Sequence, residues 1–236
     1  DWLKMFNLQK KNNIPLEYSF EKDSTFRDLL YCAAINSEEV FTTTVPDSRL
    51  EKFKKLHPHE FELKRVQIQK EFEEELKTTD FIDRMTTGGN ASEAALIKFF
   101  QPLKDITDIR NKYQAVKLAD GNITKIPFNS MNKYSLIIVE NETPNSFYTL
   151  YTKGAPERVW KNCSQISIGD SSQQINMDWD IKFEEVNNEC GKAGERVLAF
   201  SKLDLPKSSF PQDFKFNMAT YNFTFEKQTF VGLISL

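Results

Sequence analysis

Apolar positions fall at helical spacing in some stretches of this chain and gather in β-branched and aromatic runs in others, and the two patterns set out its elements. Asp23 or Ser24 can cap a helix over about 25–35, in which Phe26, Leu29, Leu30, Ala33 and Ala34 share one face. From Arg49 to Glu75 the chain is dense in charge. Ile68, Phe72 and Leu76 recur there every four residues with acids and lysines between them, as on an amphipathic surface helix. The expectation is an insertion over about 43–87 packed on the outside, with a partner-docking helix as the sharper alternative. Asn90 can cap a further helix over about 91–100, and Glu93 completes an Asn-x-x-Glu box.

Asp120-Gly-Asn marks a turn. Residues 134–140 and 147–153 are rich in aromatic and β-branched side chains, with Asn141-Glu-Thr-Pro-Asn-Ser146 between them, which predicts an antiparallel hairpin with a six-residue loop. A helix is expected from about 178 to 193 with Gly194 as its stop, and strands over 197–203 and 229–236. This order of elements predicts α+β, an antiparallel sheet with helices outside it.

A chain of 236 residues suffices for one large domain or two small ones. Hydrophobic residues at 39% and charged residues at 28% place it among soluble globular chains rather than disordered ones, and 20 Phe favour a substantial core. A net charge of −3 gives no general attraction to nucleic acid or to an anionic membrane, so phosphate binding must come from local cations. No apolar run approaches the ~20 residues that span a bilayer. Asp1-Trp-Leu-Lys-Met does not read as a signal peptide, and the abrupt ends lead to the expectation of a domain cut from a longer protein. Cys32, Cys163 and Cys190, with no Cys-x-x-Cys, read as ordinary thiols in a reducing, cytosolic setting. His57-Pro58-His59 lacks the second pair of ligands that a zinc site needs.

The most informative stretch is Tyr151-Thr-Lys-Gly-Ala-Pro-Glu-Arg-Val-Trp160. Lys153 puts a positive charge at the end of a β-rich run, and Gly154 lets a ligand approach the backbone. Pro156 suits the first helical position and Glu157 the first turn. Such a junction can receive a nucleotide phosphate, though most junctions of this kind are only turns.

The wording KGAPE resembles the nucleotide-site motif of type II P-type ATPases, the cation pumps. Gly89-Asn-Ala-Ser-Glu-Ala-Ala-Leu96, Ile126-Pro-Phe-Asn-Ser-Met-Asn-Lys-Tyr134 and Gly194-Glu-Arg-Val-Leu198 resemble the same family in the same order, and Phe230-Val-Gly-Leu-Ile-Ser235 resembles its exit strand. The second of these is similar to the Na,K-ATPase and H,K-ATPase branch. The resemblance covers roughly 20–40 and 88–236. It implies a single cytosolic nucleotide-binding domain over 1–236, a twisted antiparallel sheet flanked by helices. The parent would be an integral membrane pump for monovalent cations, and the domain would present ATP to an aspartate of a neighbouring domain. It implies as partners ATP, the phosphorylation and actuator domains of the same chain and an accessory subunit. Mg²⁺ would be liganded mainly outside this chain, and no nucleic acid or direct membrane contact is implied.

Within that resemblance Phe128 offers a π-face to adenine, a stack worth roughly 1–3 kcal/mol, although one Phe among 20 more often sits in a core. Glu93 matches the acid that meets the adenine amino edge, a role that competes with the capping box. Lys133 and Lys153 match two lysines beside the nucleotide. Arg196 matches an arginine whose planar fork pairs phosphate or ribose oxygens; a surface salt bridge with Glu195 is its ordinary alternative. Gly154 would permit close approach. Asn90 stands where an Asp is usual and Ser135 where a Gln is usual, so Ser135 is not counted as a ligand.

The phosphorylated DKTGT motif, DPPR and TGDGVND do not occur in this sequence, nor does a Walker loop or a kinase catalytic loop. The expectation is a chain that binds ATP without turning it over. A pump-derived regulatory or interaction module that has lost its nucleotide is the alternative. An independent ATP-using enzyme is disfavoured, because no catalytic constellation is visible.

Overall fold

The aromatic and β-branched runs of the second half pair into one seven-stranded sheet. In a computed structural model that describes residues 23–236, the chain divides into two compact units: residues 23–36 with Leu103–Leu236, and Ser37–Pro102. The Asp1–Met5 stretch read above for a signal peptide lies outside the described residues.

The smaller unit carries β1 (Val40–Phe41), α2 (Asp47–Leu56), α3 (Phe61–Thr78), β2 (Thr86–Thr87) and α4 (Ala91–Phe100). Ile68 and Phe72 are buried with Val45, and Leu50, Phe53 and Leu76 pack around them, so the four-residue spacing does mark the inner face of α3. Two helices occupy the charged stretch where periodicity indicated one. α2 ends at Leu56, and His57, held before Pro58, leaves helical geometry at φ −135°.

In the larger unit α1 (Ser24–Asn36) and α5 (Ile106–Lys112) accompany the sheet, whose strands are β3 (Lys125–Ile126), β4 (Tyr134–Glu140), β5 (Ser146–Gly154), β6 (Cys163–Ile168), β7 (Ser171–Gln174), β8 (Val197–Pro206) and β9 (Gln228–Ser235). The order is β3-β4-β5-β8-β9-β6-β7. Only β6 and β9 run parallel; the other neighbours are antiparallel. The architecture is α+β, as the order of elements predicts.

α1 crosses one face. Its start is tied to the β6–β7 turn, where Ser24 Oγ donates to the Gly169 carbonyl at 2.7 Å. Leu29 then lies against Gly232 of β9, Asp28 pairs with Lys202 of β8 at 2.5 Å, and the Cys32 thiol donates to the Thr152 carbonyl of β5 at 3.2 Å. Over the opposite face Phe210, Phe216 and Phe223, from an irregular segment after β8, are buried with Leu136, Ile138, Tyr148, Leu150 and Leu205. This segment holds five of the 20 Phe, at 210, 214, 216, 223 and 225. The rest of that face is covered by α6 (Pro156–Trp160) and α7 (Met177–Lys192), through Val159, Trp160 and Phe183 against Ala199 and Phe230. The Trp160 and Phe183 rings stack at 4.3 Å. Among the described residues no helix is long and apolar enough to cross a membrane.

Candidate functional site

β4 begins where β5 ends. Tyr134 pairs with Gly154, Gly154 with Ala199, and Ala199 with Leu233, a row that crosses four strands at one end of the sheet. Lys133 stands one residue outside this row, Lys153 one residue inside it, and Arg196, just before β8, three residues outside it. At ~3.3 Å per residue along a strand and ~4.8 Å between strands, the Arg196 backbone lies roughly 10 Å beyond the row and roughly 10 Å across from β4.

Phe128 is 55% exposed. The turn that follows explains why. Asn129 Oδ1 accepts the N–H of Met131 at 3.1 Å and of Asn132 at 2.7 Å, and the Asn129 carbonyl accepts the Lys133 N–H at 2.8 Å. The tight turn leaves Phe128 and Met131 outside the core, a pair of apolar side chains in water within four residues. Sequence reasoning passed over Asn129; its signal was a side chain able to accept from the second and third residues after it.

Lys133 is exposed and adopts φ 59°, a left-handed conformation that is uncommon for a residue with a side chain. Its carbonyl accepts the Ala155 N–H at 2.8 Å. One backbone hydrogen bond therefore ties the end of the IPFNSMNKY segment to KGAPE. Gly154 sits against the same place. A Cβ there would stand 2.5 Å from the Lys133 carbonyl oxygen and 2.6 Å from Cα and Cβ of Tyr134. On that side the space is filled by the neighbouring strand, so the glycine has a packing reason independent of any ligand.

Lys153 is only 5% exposed, on the face that α1 covers. Its strand neighbours are Ser135 and Phe200, and Ser135 Oγ donates to the Lys153 carbonyl at 3.3 Å. The substitution at Ser135 thus makes a buried strand-to-strand contact. Burial pushes the nearby Cys32 thiol up to about 12, with the positive charge of Lys153 acting against that rise. Pro156 opens α6 and Glu157 occupies its first turn, as expected. Arg196 is exposed; its N–H and carbonyl pair with Leu236 at 3.0 and 2.9 Å, extending the β8–β9 ladder. A cavity of about 530 Å³ lined by Pro156, Asn188, Lys192, Glu195 and Val197 opens beside it. A cleft of about 390 Å³ at the far end of β4, lined by Gln114, Glu140 and Phe216, touches none of these residues.

Five of the six residues singled out in the sequence are therefore gathered at one end of the sheet. The sixth, Glu93, belongs to the smaller unit. Asn90 Oδ1 accepts from the N–H of Ser92 at 3.0 Å and of Glu93 at 3.2 Å, so Asn90 caps α4. The Glu93 carboxylate accepts the Glu38 N–H at 2.9 Å and is buried. Asn90→Ala is expected to lower stability by about 1 kcal/mol, and Asn90→Asp to restore most of it, in urea denaturation.

A family model described as P-type ATPase, cytoplasmic domain N, matches residues 67–236. The chain is 38% identical over 157 residues to the sodium/potassium-transporting ATPase subunit alpha-2 of Homo sapiens, covering 66% of this chain and 15% of that protein. It is 39% identical over 157 residues to the potassium-transporting ATPase alpha chain 2 of Rattus norvegicus, covering 66% and 14%. With the sodium/potassium-transporting ATPase subunit alpha of Drosophila melanogaster it shares 39% over 150 residues, covering 63% and 14%. The matched part thus spans about one-seventh of the length of these relatives. The ordered motifs, the antiparallel sheet and the family match agree: this chain belongs to the cytoplasmic N domains of type II P-type ATPases.

Proposed function

We propose that this chain binds ATP at the end of the sheet where β4 begins and β5 ends, and presents its γ-phosphate to an aspartate on a neighbouring domain of a cation-transporting P-type ATPase. The observation that carries this reading is that the exposed Phe128, Lys133 and Arg196 and the buried Lys153 gather around the same end of the sheet. Phe128 offers its ring to adenine. Lys133 and Lys153 neutralise charge, and Arg196, just before β8, stands far enough from them to address the other end of an extended ligand. The contribution is positioning, a large part of phosphoryl transfer. The magnesium that accompanies the triphosphate takes its ligands mainly from the neighbouring domains. The domain works on the cytosolic side of a membrane pump, beside the phosphorylation and actuator domains and an accessory subunit. It binds ATP without hydrolysing it.

Few contacts against the entropy of association predict a weak Kd, on the order of 0.1–5 mM. An amide NMR titration with ATP and GTP tests this. Shifts are expected near Phe128, Lys153 and Arg196, stronger for ATP. Phe128→Ala is expected to weaken ATP binding by roughly tenfold, within the range for loss of a base stack, and to leave the stability measured in urea within about 0.5 kcal/mol of wild type, because the ring is exposed. No shifts at several millimolar ATP would instead favour a module that keeps the fold without its nucleotide.

A further inference from the structure

Asn36, the last residue of α1, is 1% exposed, and its side-chain carbonyl oxygen has no hydrogen-bond partner. Its amide nitrogen donates to the Cys32 sulfur at 3.6 Å, while the Cys32 thiol donates to the Thr152 carbonyl at 3.2 Å. These two bonds set the sense of the amide. The sulfur has given its proton to Thr152 and keeps only lone pairs, so the nitrogen faces it and the oxygen faces away. A buried acceptor without a donor is unfavourable and rare in folded proteins.

The course of α1 shows which part of the sheet its last turn approaches. The helix passes from Gly169 over Lys202 to Thr152, and Asn36 lies one turn beyond Cys32. That course leads toward the pair formed by Ser135 and Lys153. The charge of Lys153 already acts on the Cys32 thiol that Asn36 touches. α1 has no basic residue in its last turn to meet the partial negative charge of its carbonyl end. An ammonium group carries three donors on a flexible stem, so one can bind protein while others face a ligand.

We propose that Asn36 is a positioning residue of the nucleotide site: its unfilled carbonyl oxygen takes a hydrogen bond from the Lys153 ammonium in the ATP complex and so sets where that cation meets the ligand. This rests on the nucleotide-binding reading above. The test uses the whole chain, magnesium-free ATP and four variants: Asn36→Leu, Lys153→Met, their double, and Asn36→Asp. Asn36→Leu is expected to weaken ATP binding about tenfold by amide NMR, near the low end for removal of one charged hydrogen bond. Lys153→Met should weaken it at least as much, and the double variant no more than Lys153→Met alone, because one interaction cannot be lost twice. In Asn36→Asp the lysine pKa, followed by side-chain ¹³Cε signals in the complex, should rise, since a negative acceptor favours the ammonium. That readout decides the matter even if Asn36→Leu fails to fold. Additive losses in the double variant, or an unmoved Lys153 titration in Asn36→Asp, would overturn the inference and leave the nucleotide site standing. A wild-type chain that shows no ATP shifts removes both.

Discussion

Replacing Gly154 with alanine is expected to lower stability by about 3 kcal/mol, at the upper end of what overpacking usually does. The added Cβ would stand 2.5 Å from the Lys133 carbonyl oxygen and 2.6 Å from the Tyr134 Cα, both backbone atoms that no rotamer change can move aside. Relief requires β4 to shift away from β5. That shift would break the 2.8 Å bond from the Ala155 N–H to Lys133 and disturb the Tyr134–Gly154 pairing. Urea denaturation should show a lower midpoint with an unchanged slope, and ATP binding should weaken as well because Lys133 and Lys153 flank the displaced row. The contrast with the sequence reading is sharp. A glycine needed only for ligand approach would give a variant as stable as wild type that had lost nucleotide alone.

This glycine illustrates how the sequence informs on the site. Motif wording picked out Gly154, but its reason lies in a strand about 20 residues earlier, and no local pattern reports a backbone approach of that kind. The same holds for Lys133, whose left-handed backbone is imposed by the Asn129 turn, and for Asn36, whose unfilled oxygen follows from what Cys32 does with its proton. Elements that carry their own period were legible. α1, α4, the β4–β5 hairpin and α7 lie within one or two residues of expectation, because a helical face, a cap or a β-branched run is a local property. Elements defined by their neighbours were not. β7 is Ser-Ser-Gln-Gln, exposed at every position, and becomes a strand only because β6 offers a partner. The segment that brings Phe210, Phe216 and Phe223 onto the sheet has no period, since each ring fills a gap set by β4, β5 and β8.

Lys202→Met is expected to lower stability by about 2–4 kcal/mol at neutral pH, and this loss should shrink on acidification. The pair it breaks joins α1 to β8, with the Asp28 side chain 11% and the Lys202 side chain 25% exposed. Removing one partner leaves a buried charge uncompensated, which costs about 3–5 kcal/mol at fully buried pairs and less where water reaches one side. Burial already raises the Asp28 pKa above its ordinary 3.8, with the charge and hydrogen bond of Lys202 opposing the rise. Without Lys202 the folded-state pKa climbs further while the unfolded value stays near 3.8. A carboxyl whose folded pKa exceeds its unfolded one binds its proton more readily when folded, so it destabilises above the folded pKa and stability returns as the pH falls through that value. The difference between variant and wild type should therefore be largest near pH 7 and decline toward pH 4 in urea titrations. Asp28→Leu combined with Lys202→Met should recover most of the loss at neutral pH, since an apolar pair leaves no charge behind. A penalty that stays constant with pH, unrelieved in the double variant, would show that Lys202 acts through the packing of its stem, and that α1 is held across the sheet by Leu29 and Leu30 without help from the ion pair.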